Sequence, residues 1–579
     1  MSQTVTLNLR ARVTTRTAKS PSVPRHMPST RLRLRDELPP NYWHSPRLLG
    51  TVAALAFGNM SAFASWVMPS NSLAIIDASI GPSNQISWVA LAFALGFSVG
   101  FLIVGRLSDI FGRRWFFIGG NFLALLSGIL GAVATDINTL ICGNFLGGLA
   151  GSVQLSFPVA IAELVPKKSR PLCVAGIFGS AFHFACFGPV IAQALATETA
   201  AGWRWSYYIN IIVAGLATVL CFLFYFPPPF HLLHNNRSKA DQLKRQDFIG
   251  FCLYATGLIL FIMGMTWSSR VYPWKSAHVI ATIVVGFCSL VAFVLWDAYG
   301  HGGDPLLPLH LFKTRGHLAM ILTATVGSCV YNSMNVLWPQ QITYLFGGTA
   351  IHRGFLACVV GSATCIGQVA GGLLCKYIKR SRIVLVSGAT SLLVFSSAMV
   401  SVNPGQQSKG VVLMFMACFS VGIIETCSLA LAPLSLPSED IGAALGTLSS
   451  IRSAGAAVAT AVYITILTSK LSTLVPKYVT EAALSAGLPK SSLASVFAAL
   501  TTDHLSMVPD MTPAAERSII AANAMAGADS FRFVWYAVIA FAVCAVIAAC
   551  LTIDYGDHLT GTVERSKTTQ LETTDAEKV

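Results

Sequence analysis

The ten residues Gly105-Arg106-Leu107-Ser108-Asp109-Ile110-Phe111-Gly112-Arg113-Arg114 set one carboxylate among three guanidinium groups. Such a group suits a latch: a carboxylate stabilises the positive N-terminal end of a facing helix, and arginines hold the acid and meet anionic lipid. Gly105, Arg106, Asp109, Gly112, Arg113 and Arg114 are therefore the candidate conformational latch. Glu425 and Arg452 suggest a different chemistry, because each lies inside a long apolar stretch. Charges there are costly and mark function by default, yet they also serve as glue between helices. Counted from the ends of their stretches, the two sit at similar depth, roughly 12–15 Å from one edge. Two readings stand: a structural ion pair, or a carboxylate that exchanges a proton. His183 joins them as a candidate for proton coupling, since imidazole changes charge near neutral pH; a simple hydrogen bond to a neighbouring helix is its plainer reading.

A third group consists of amides and indoles in apolar stretches: Asn59, Trp66, Asn144, Gln154, Asn332, Asn335, Trp338 and Gln368. In an apolar pocket such side chains suit a bulky amphipathic small molecule. Taken singly, each also fits helix–helix hydrogen bonding, or an interfacial position for Trp338. No metal site is expected, because the 14 cysteines show no ligand spacing and most lie in apolar segments. No phosphate-binding loop, zinc-protease motif or nucleophile elbow occurs, so no cofactor and no enzymatic reaction are expected.

The elements that position these residues follow from composition. Of 579 residues, 54% are hydrophobic and only 11% charged, with mean hydropathy +0.64. Soluble domains carry about 25% charged residues, so this chain is read as polytopic in a bilayer. A spanning helix needs about 20 apolar residues. Windows of that size fall at 49–69, 86–104, 115–134, 139–162, 172–193, 206–226, 248–267, 277–299, 318–338, 354–374, 383–402, 411–433, 443–468 and 532–553, fourteen in all. The basic residues test the count. The loops on the side of the N-terminal tail hold sixteen Lys and Arg, and the short loops opposite hold five. By the positive-inside rule both tails then face the cytosol. The formal net charge of +14 is absorbed by those loops, which argues against a nucleic-acid partner. The tail before the first window is rich in Arg, Ser and Thr, as transit peptides are, but Pro21, Pro24 and Pro28 interrupt an amphipathic helix, so a disordered cytosolic tail is expected.

The ten-residue motif after the second window resembles the loop signature of major facilitator transporters, G-x-L-[SA]-D-x-x-G-R-[RK]. A worn copy, Gly371-Gly372-Leu373-Leu374-Cys375-Lys376-Tyr377-Ile378-Lys379-Arg380, follows the tenth window without the acid. Paired elements are what duplicated transporter folds predict. The expected fold is all-α: two six-helix bundles plus two inserted central helices. The expected organisation is a tail to residue 48, a first bundle at 49–226, a linker with the inserted pair at 227–317, a second bundle at 318–553 containing an outer loop at 469–531, and a cytosolic tail at 554–579.

The chain also resembles the fungal trichothecene efflux pump family, in the fourteen-span drug:proton antiporter branch. The resemblance rests on Ile80-Gly81-Pro82-Ser83, Gln154-Leu155-Ser156-Phe157-Pro158, Gly202-Trp203-Arg204-Trp205, Leu337-Trp338-Pro339-Gln340-Gln341 and Glu439-Asp440-Ile441-Gly442. It implies proton-linked efflux of a toxic or secondary metabolite by a monomer at the fungal plasma membrane, or at a vacuolar or vesicle membrane. Where drug antiporters usually carry an Arg credited with coupling, this chain has Asn144, which moves the expected coupling site to Glu425. Uptake of an iron–siderophore or nutrient, and a transporter-like receptor, are the alternatives.

Overall fold

The computed structural model describes residues 42–81, 85–226, 247–267, 272–300, 309–378, 380–435, 441–502 and 511–555. Most of the N-terminal tail, the linker residues 227–246 and the C-terminal tail from 556 lie outside the described residues. So do the side chains of Gly105, Arg106 and Asp109.

Each expected window falls on a helix. In chain order these are α1 (Pro46–Asn71), α2 (Ile86–Phe111), α3 (Arg113–Val133), α4 (Ile137–Gln154, continued by Phe157–Leu164), α5 (Arg170–Ser180, continued by Phe182–Glu198), α6 (Trp205–Phe224) and α7 (Phe248–Trp267). They continue with α8 (Ala277–Leu295), α9 (Arg315–Leu345), α10 (Ala350–Tyr377), α11 (Ser381–Met399), α12 (Gln407–Leu431), α13 (Ile441–Ser485) and α14 (Pro513–Leu551). Among the described residues, twelve helices are long and apolar enough to cross a membrane; α2 and α9 are the expected spans outside that set. In α2 the fully described stretch, Trp88–Leu102, is apolar but short, and α9 carries Asn332, Asn335, Gln340 and Gln341. The expected count of fourteen is compatible with this. Helix starts follow ordinary capping. Ser45, Asp136, Ser276, Thr349 and Thr512 each accept a backbone N–H of the first turn.

The helices pack in a repeated pattern. In the first half α1 meets α5 and α6, α2 meets α4, and α3 meets α4 and α6. Add eight to each number and the contacts of the second half appear: α9 with α13 and α14, α10 with α12, and α11 with α12 and α14. Even a close backbone approach is repeated. A Cβ at Gly96 or Gly148 would collide with the backbone of the partner across α2 and α4; Gly367 and Gly422 stand in the same relation across α10 and α12. Small residues let helix backbones approach where lipid offers no hydrophobic drive. Two seams join the halves, α2 against α13 and α5 against α10, and they too are exchanged by the offset.

The inserted pair breaks this symmetry. Helix α7 lies on the α2–α13 seam, with Tyr254, Leu258 and Ile262 packed among Leu91, Leu95 and Ala457. The Tyr254 hydroxyl lies 3.1 Å from Ser450 Oγ, and Thr465 donates to Met265 O at 3.2 Å. Helix α8 packs on α7 and leaves Val284, Phe287, Val291 and Val294 exposed, an apolar face suited to lipid.

The expected outer loop at 469–531 is mostly helix. Helix α13 has 45 residues and α14 has 39, or about 68 and 58 Å, against a hydrocarbon core of about 30 Å. Lys470, Lys477 and Glu481 end the apolar window but not the helix. The projecting hairpin has its own small core of Val479, Ala483, Leu488, Val496, Ala515 and Ile519. At its base Tyr478 donates to Asp529 at 2.8 Å, and Arg532 donates to Asp529 at 2.6 Å and Asn403 at 2.7 Å. We call the end with this hairpin the hairpin face. The opposite end, where α1 begins and α14 stops, is the tail face.

Candidate functional site

Between the halves lies a cavity of about 310 Å³. Its walls come from α1, the short helix Leu73–Ile80, α2, α9 and α13. The first-half wall is aromatic. Trp66 stacks on Phe93 with centroids 5.1 Å apart, and Phe93 on Phe97 at 5.8 Å. The second-half wall is polar, with Asn332, Gln340, Ser453 and Thr460. The Thr460 hydroxyl meets Ser333 Oγ at 2.9 Å, which ties α13 to α9 behind this wall. Two buried polar atoms of lining residues, Trp66 Nε1 and Ser453 Oγ, have no protein partner. Leaving such a group unsatisfied costs about 1–3 kcal/mol, so a bound molecule that meets either gains by it. Among the described lining residues Asp77, from the Leu73–Ile80 helix near the hairpin face, is the one ionisable side chain.

Towards the tail face the cavity ends. Phe101 crosses Phe97 edge-on at 4.7 Å. Beneath it Val104, Leu155, Pro158, Leu429 and Leu445 leave only about 10 Å³. The break in α4 at Leu155 and Ser156, ahead of Pro158, places this plug. Proline removes a backbone donor, so it is tolerated at the start of a new segment. The described conformation is thus closed between the halves on the tail side.

Trp66 and Asn332 are the expected substrate residues that line the cavity. The others lie elsewhere. Gln154 donates to Ser61 at 3.1 Å and Asn121 at 3.0 Å, and Ser61 donates to Asn210 at 2.8 Å, so α1, α3, α4 and α6 share one buried amide network. Asn59 donates to Ile177 O at 2.8 Å, and Asn144 to Leu140 O at 2.9 Å and the Tyr207 hydroxyl at 3.2 Å. Asn335 donates to Tyr331 O at 2.8 Å, and Trp338 Nε1 to Leu356 O at 2.9 Å.

In the second half Arg452 Nη1 pairs with Glu425 Oε1, and Gln368 Nε2 donates to Glu425 Oε2 at 2.9 Å. Helices α10, α12 and α13 are joined by this triad. It is largely buried, with Arg452 and Glu425 side chains 6% and 16% exposed. Arg452 immediately precedes Ser453 of the cavity wall. His183 is separate and exposed on its helix.

Of the latch, Gly112 turns the chain from α2 into α3 at φ +85°, a left-handed conformation that glycine adopts freely. Arg113 donates to Val159 O at 3.2 Å, and Arg114 to Phe222 O at 2.8 Å while stacking 3.7 Å over the Phe226 ring. These contacts hold α3 to α4 and α6 within the first half. Sequence reasoning passed over Arg170, which is 2% exposed and donates to Ala162 O at 2.5 Å and Val165 O at 3.3 Å. It caps the last carbonyls of the Phe157–Leu164 segment, where a cation is favoured.

The profile of the fungal trichothecene efflux pump family, TRI12, matches residues 26–575. The chain is 29% identical over 535 residues to the trichothecene efflux pump TRI12 of Fusarium sporotrichioides, covering 90% of this chain and 89% of that one. The TRI12 pump of Trichoderma arundinaceum is also 29% identical, over 543 residues, with 91% and 90% covered. The MFS-type transporter prx5 of Penicillium rubens is 28% identical over 440 residues, with 74% and 79% covered. Among solved structures, the major facilitator proton:xylose symporter XylE has the same fold, with TM-score 0.52 and 14% identity over 90% of this chain and 98% of that one. With its two packed halves, its central cavity and a profile match along nearly its whole length, the chain is a multi-pass membrane transporter, not an enzyme, and belongs to the fungal trichothecene efflux pump family.

Proposed function

We propose that the protein exports a toxic or secondary metabolite of the mycotoxin type across the fungal plasma membrane, driven by protons. The observation that carries this reading is the cavity between the halves, about 310 Å³ on one side of a plug that leaves about 10 Å³. Alternating access requires such a site and such a barrier. The names of the two TRI12 relatives support a mycotoxin as cargo. Basic loops assign the tail face to the cytosol, so the described cavity belongs to the outward-facing arm of the cycle.

In this cycle the bundles at 49–226 and 318–553 rock about the cavity. Gly105, Arg106, Asp109, Gly112, Arg113 and Arg114 stabilise the state closed at the tail face. Glu425 takes up and releases the proton. When it is charged, Arg452 and Gln368 hold it and lock α10, α12 and α13 together. Protonation removes the ionic part of that lock and frees the helices to shift. His183 is a lesser candidate because its side chain is exposed, whereas the triad is largely buried. The transporter works as a monomer.

The test is flux of a labelled metabolite into inside-out vesicles with an imposed pH gradient, acid inside. Accumulation that collapses with a protonophore is expected. Accumulation indifferent to the gradient would remove proton coupling, and flux only in the opposite direction would remove export.

A further inference from the structure

A polar side chain buried in a folded protein ordinarily finds a partner there. Indoles in this protein do so: Trp203 Nε1 donates to Ser79 Oγ at 2.7 Å, and Trp338 Nε1 to Leu356 O at 2.9 Å. Hydroxyls in its helices return their proton to a carbonyl one turn back, as Thr460 does to Ala456 O at 2.8 Å. The polar wall of the cavity follows the same habit. Asn332 donates to the Ser328 carbonyl at 3.0 Å and hydroxyl at 3.1 Å, and Gln340 to Val336 O at 3.3 Å. Trp66 Nε1 and Ser453 Oγ depart from it. Both atoms are buried, both belong to lining residues, and neither has a partner among the described residues. An indole N–H can only donate, and a hydroxyl with an uncommitted proton donates readily. Trp66 stands in α1 of the first half and Ser453 in α13 of the second.

From this pair we propose that Trp66 and Ser453 set the specificity of the cavity, selecting polycyclic molecules that carry carbonyl or ether oxygens over hydrocarbon frames of the same shape. The apolar frame rests among Ala94, Phe97 and Ala457 of the lining. The face of Trp66 is taken by Phe93, so its N–H lies at the edge of that stack, in the ring plane. The oxygens of the ligand accept from this N–H and from the Ser453 hydroxyl on the opposite wall. A hydrocarbon gains burial alone and leaves both donors unmet, whereas an oxygenated ligand relieves them. Because each half supplies one donor, a ligand held by both also ties α1 to α13. The inference rests on reading this cavity as the cargo site, but not on export or proton coupling.

The test is equilibrium binding to the purified full-length protein in detergent, which needs neither direction nor energy source. Anthracene and anthraquinone share one planar frame, to which the quinone adds a carbonyl oxygen on each side of the central ring. The quantity read is the ratio of their affinities, each corrected for partition into empty micelles. In the unsubstituted protein anthraquinone is expected to bind about tenfold tighter. W66F keeps a ring against Phe93 but loses the N–H, and S453A loses only the hydroxyl. Each is expected to lower the ratio several-fold, and W66F/S453A to bring it close to unity. A ratio near unity in the unsubstituted protein overturns the proposal, as does a ratio that survives in the double variant. Should W66F fail to fold, S453A decides alone, and an unchanged ratio there overturns the pairing. Failure of the vesicle flux assay with the ratio intact would count against export alone.

Discussion

The two halves share one packing plan but fill its interior differently. In the first, the buried network that links four helices is neutral: Gln154, Asn121, Ser61 and Asn210 satisfy one another. In the second, the triad of Glu425, Arg452 and Gln368 joins three helices around a charge. A neutral amide network has the same strength at every physiological pH. An ion pair in a medium of low dielectric does not, because one proton changes its energy greatly. The difference teaches where a rigid half and a switchable half are to be sought in a duplicated fold.

The comparison can be broken most severely at Arg452. R452L leaves Glu425 buried with Gln368 alone, and the cost expected for an uncompensated charge is about 3–5 kcal/mol. The variant should express poorly and lose tens of per cent of its folded fraction in a thermal scan in detergent, and R452L/E425L should recover most of that. If the double variant stays as unstable as the single, the pair is not the source. Next comes E425Q, which keeps shape and the Gln368 contact. It should fold, bind cargo and exchange it, while losing acceleration by a pH gradient; full retention of gradient-driven flux would remove Glu425 as the coupling group. In the first half Q154L should cost only about 1 kcal/mol, the scale of single interhelical hydrogen bonds in membranes, and leave the pH dependence of flux unchanged. A changed pH profile in Q154L would erase the contrast between the halves.

The smallest effect is a control for surface carboxylates. Asp136, in the turn before α4, is held below its ordinary value of 3.8, chiefly by the Thr139 backbone N–H it accepts at 2.6 Å. A depressed folded-state value gives stability above the unfolded value that is lost as pH falls through the folded one. D136A should therefore lie slightly below the parent in melting temperature at pH 7, begin to converge with it as pH falls below about 4, and meet it below the folded-state value. A gap that does not narrow as the acid range is entered would mean the cap does not depend on the charge.

Much of the fold was legible because a membrane helix announces itself by length and apolarity, and loop charges fix alternation. The hairpin was less so. Lys477 and Glu481 look like a loop to a hydropathy window, whereas helix propensity continues through them. At the site, residue type identified the amides but not their azimuth. Trp66 and Asn332 turn to the cavity, while Gln154 and Asn144 turn into their own bundle, and one face of a helix differs from another by a single residue step of 100°. Asp77 was passed over because it falls between two apolar windows and so counts as connection. Its helix folds back over the cavity, a consequence of tertiary placement that no local pattern carries.

The hairpin on α13 and α14 has a consequence for measurement. Helix α13 forms a wall of the cavity and then continues without interruption about 25 Å past its apolar window, to Ser485. It is a pointer fixed to one leaf of the machine. A tilt of the second half by about 10° would swing the pointer tip by about 4 Å, in solvent, where labels attach easily. A spin label or fluorophore at Ser485, referenced to one on the first half at Ser79, converts a motion hidden in the bilayer into a distance change that can be timed outside it.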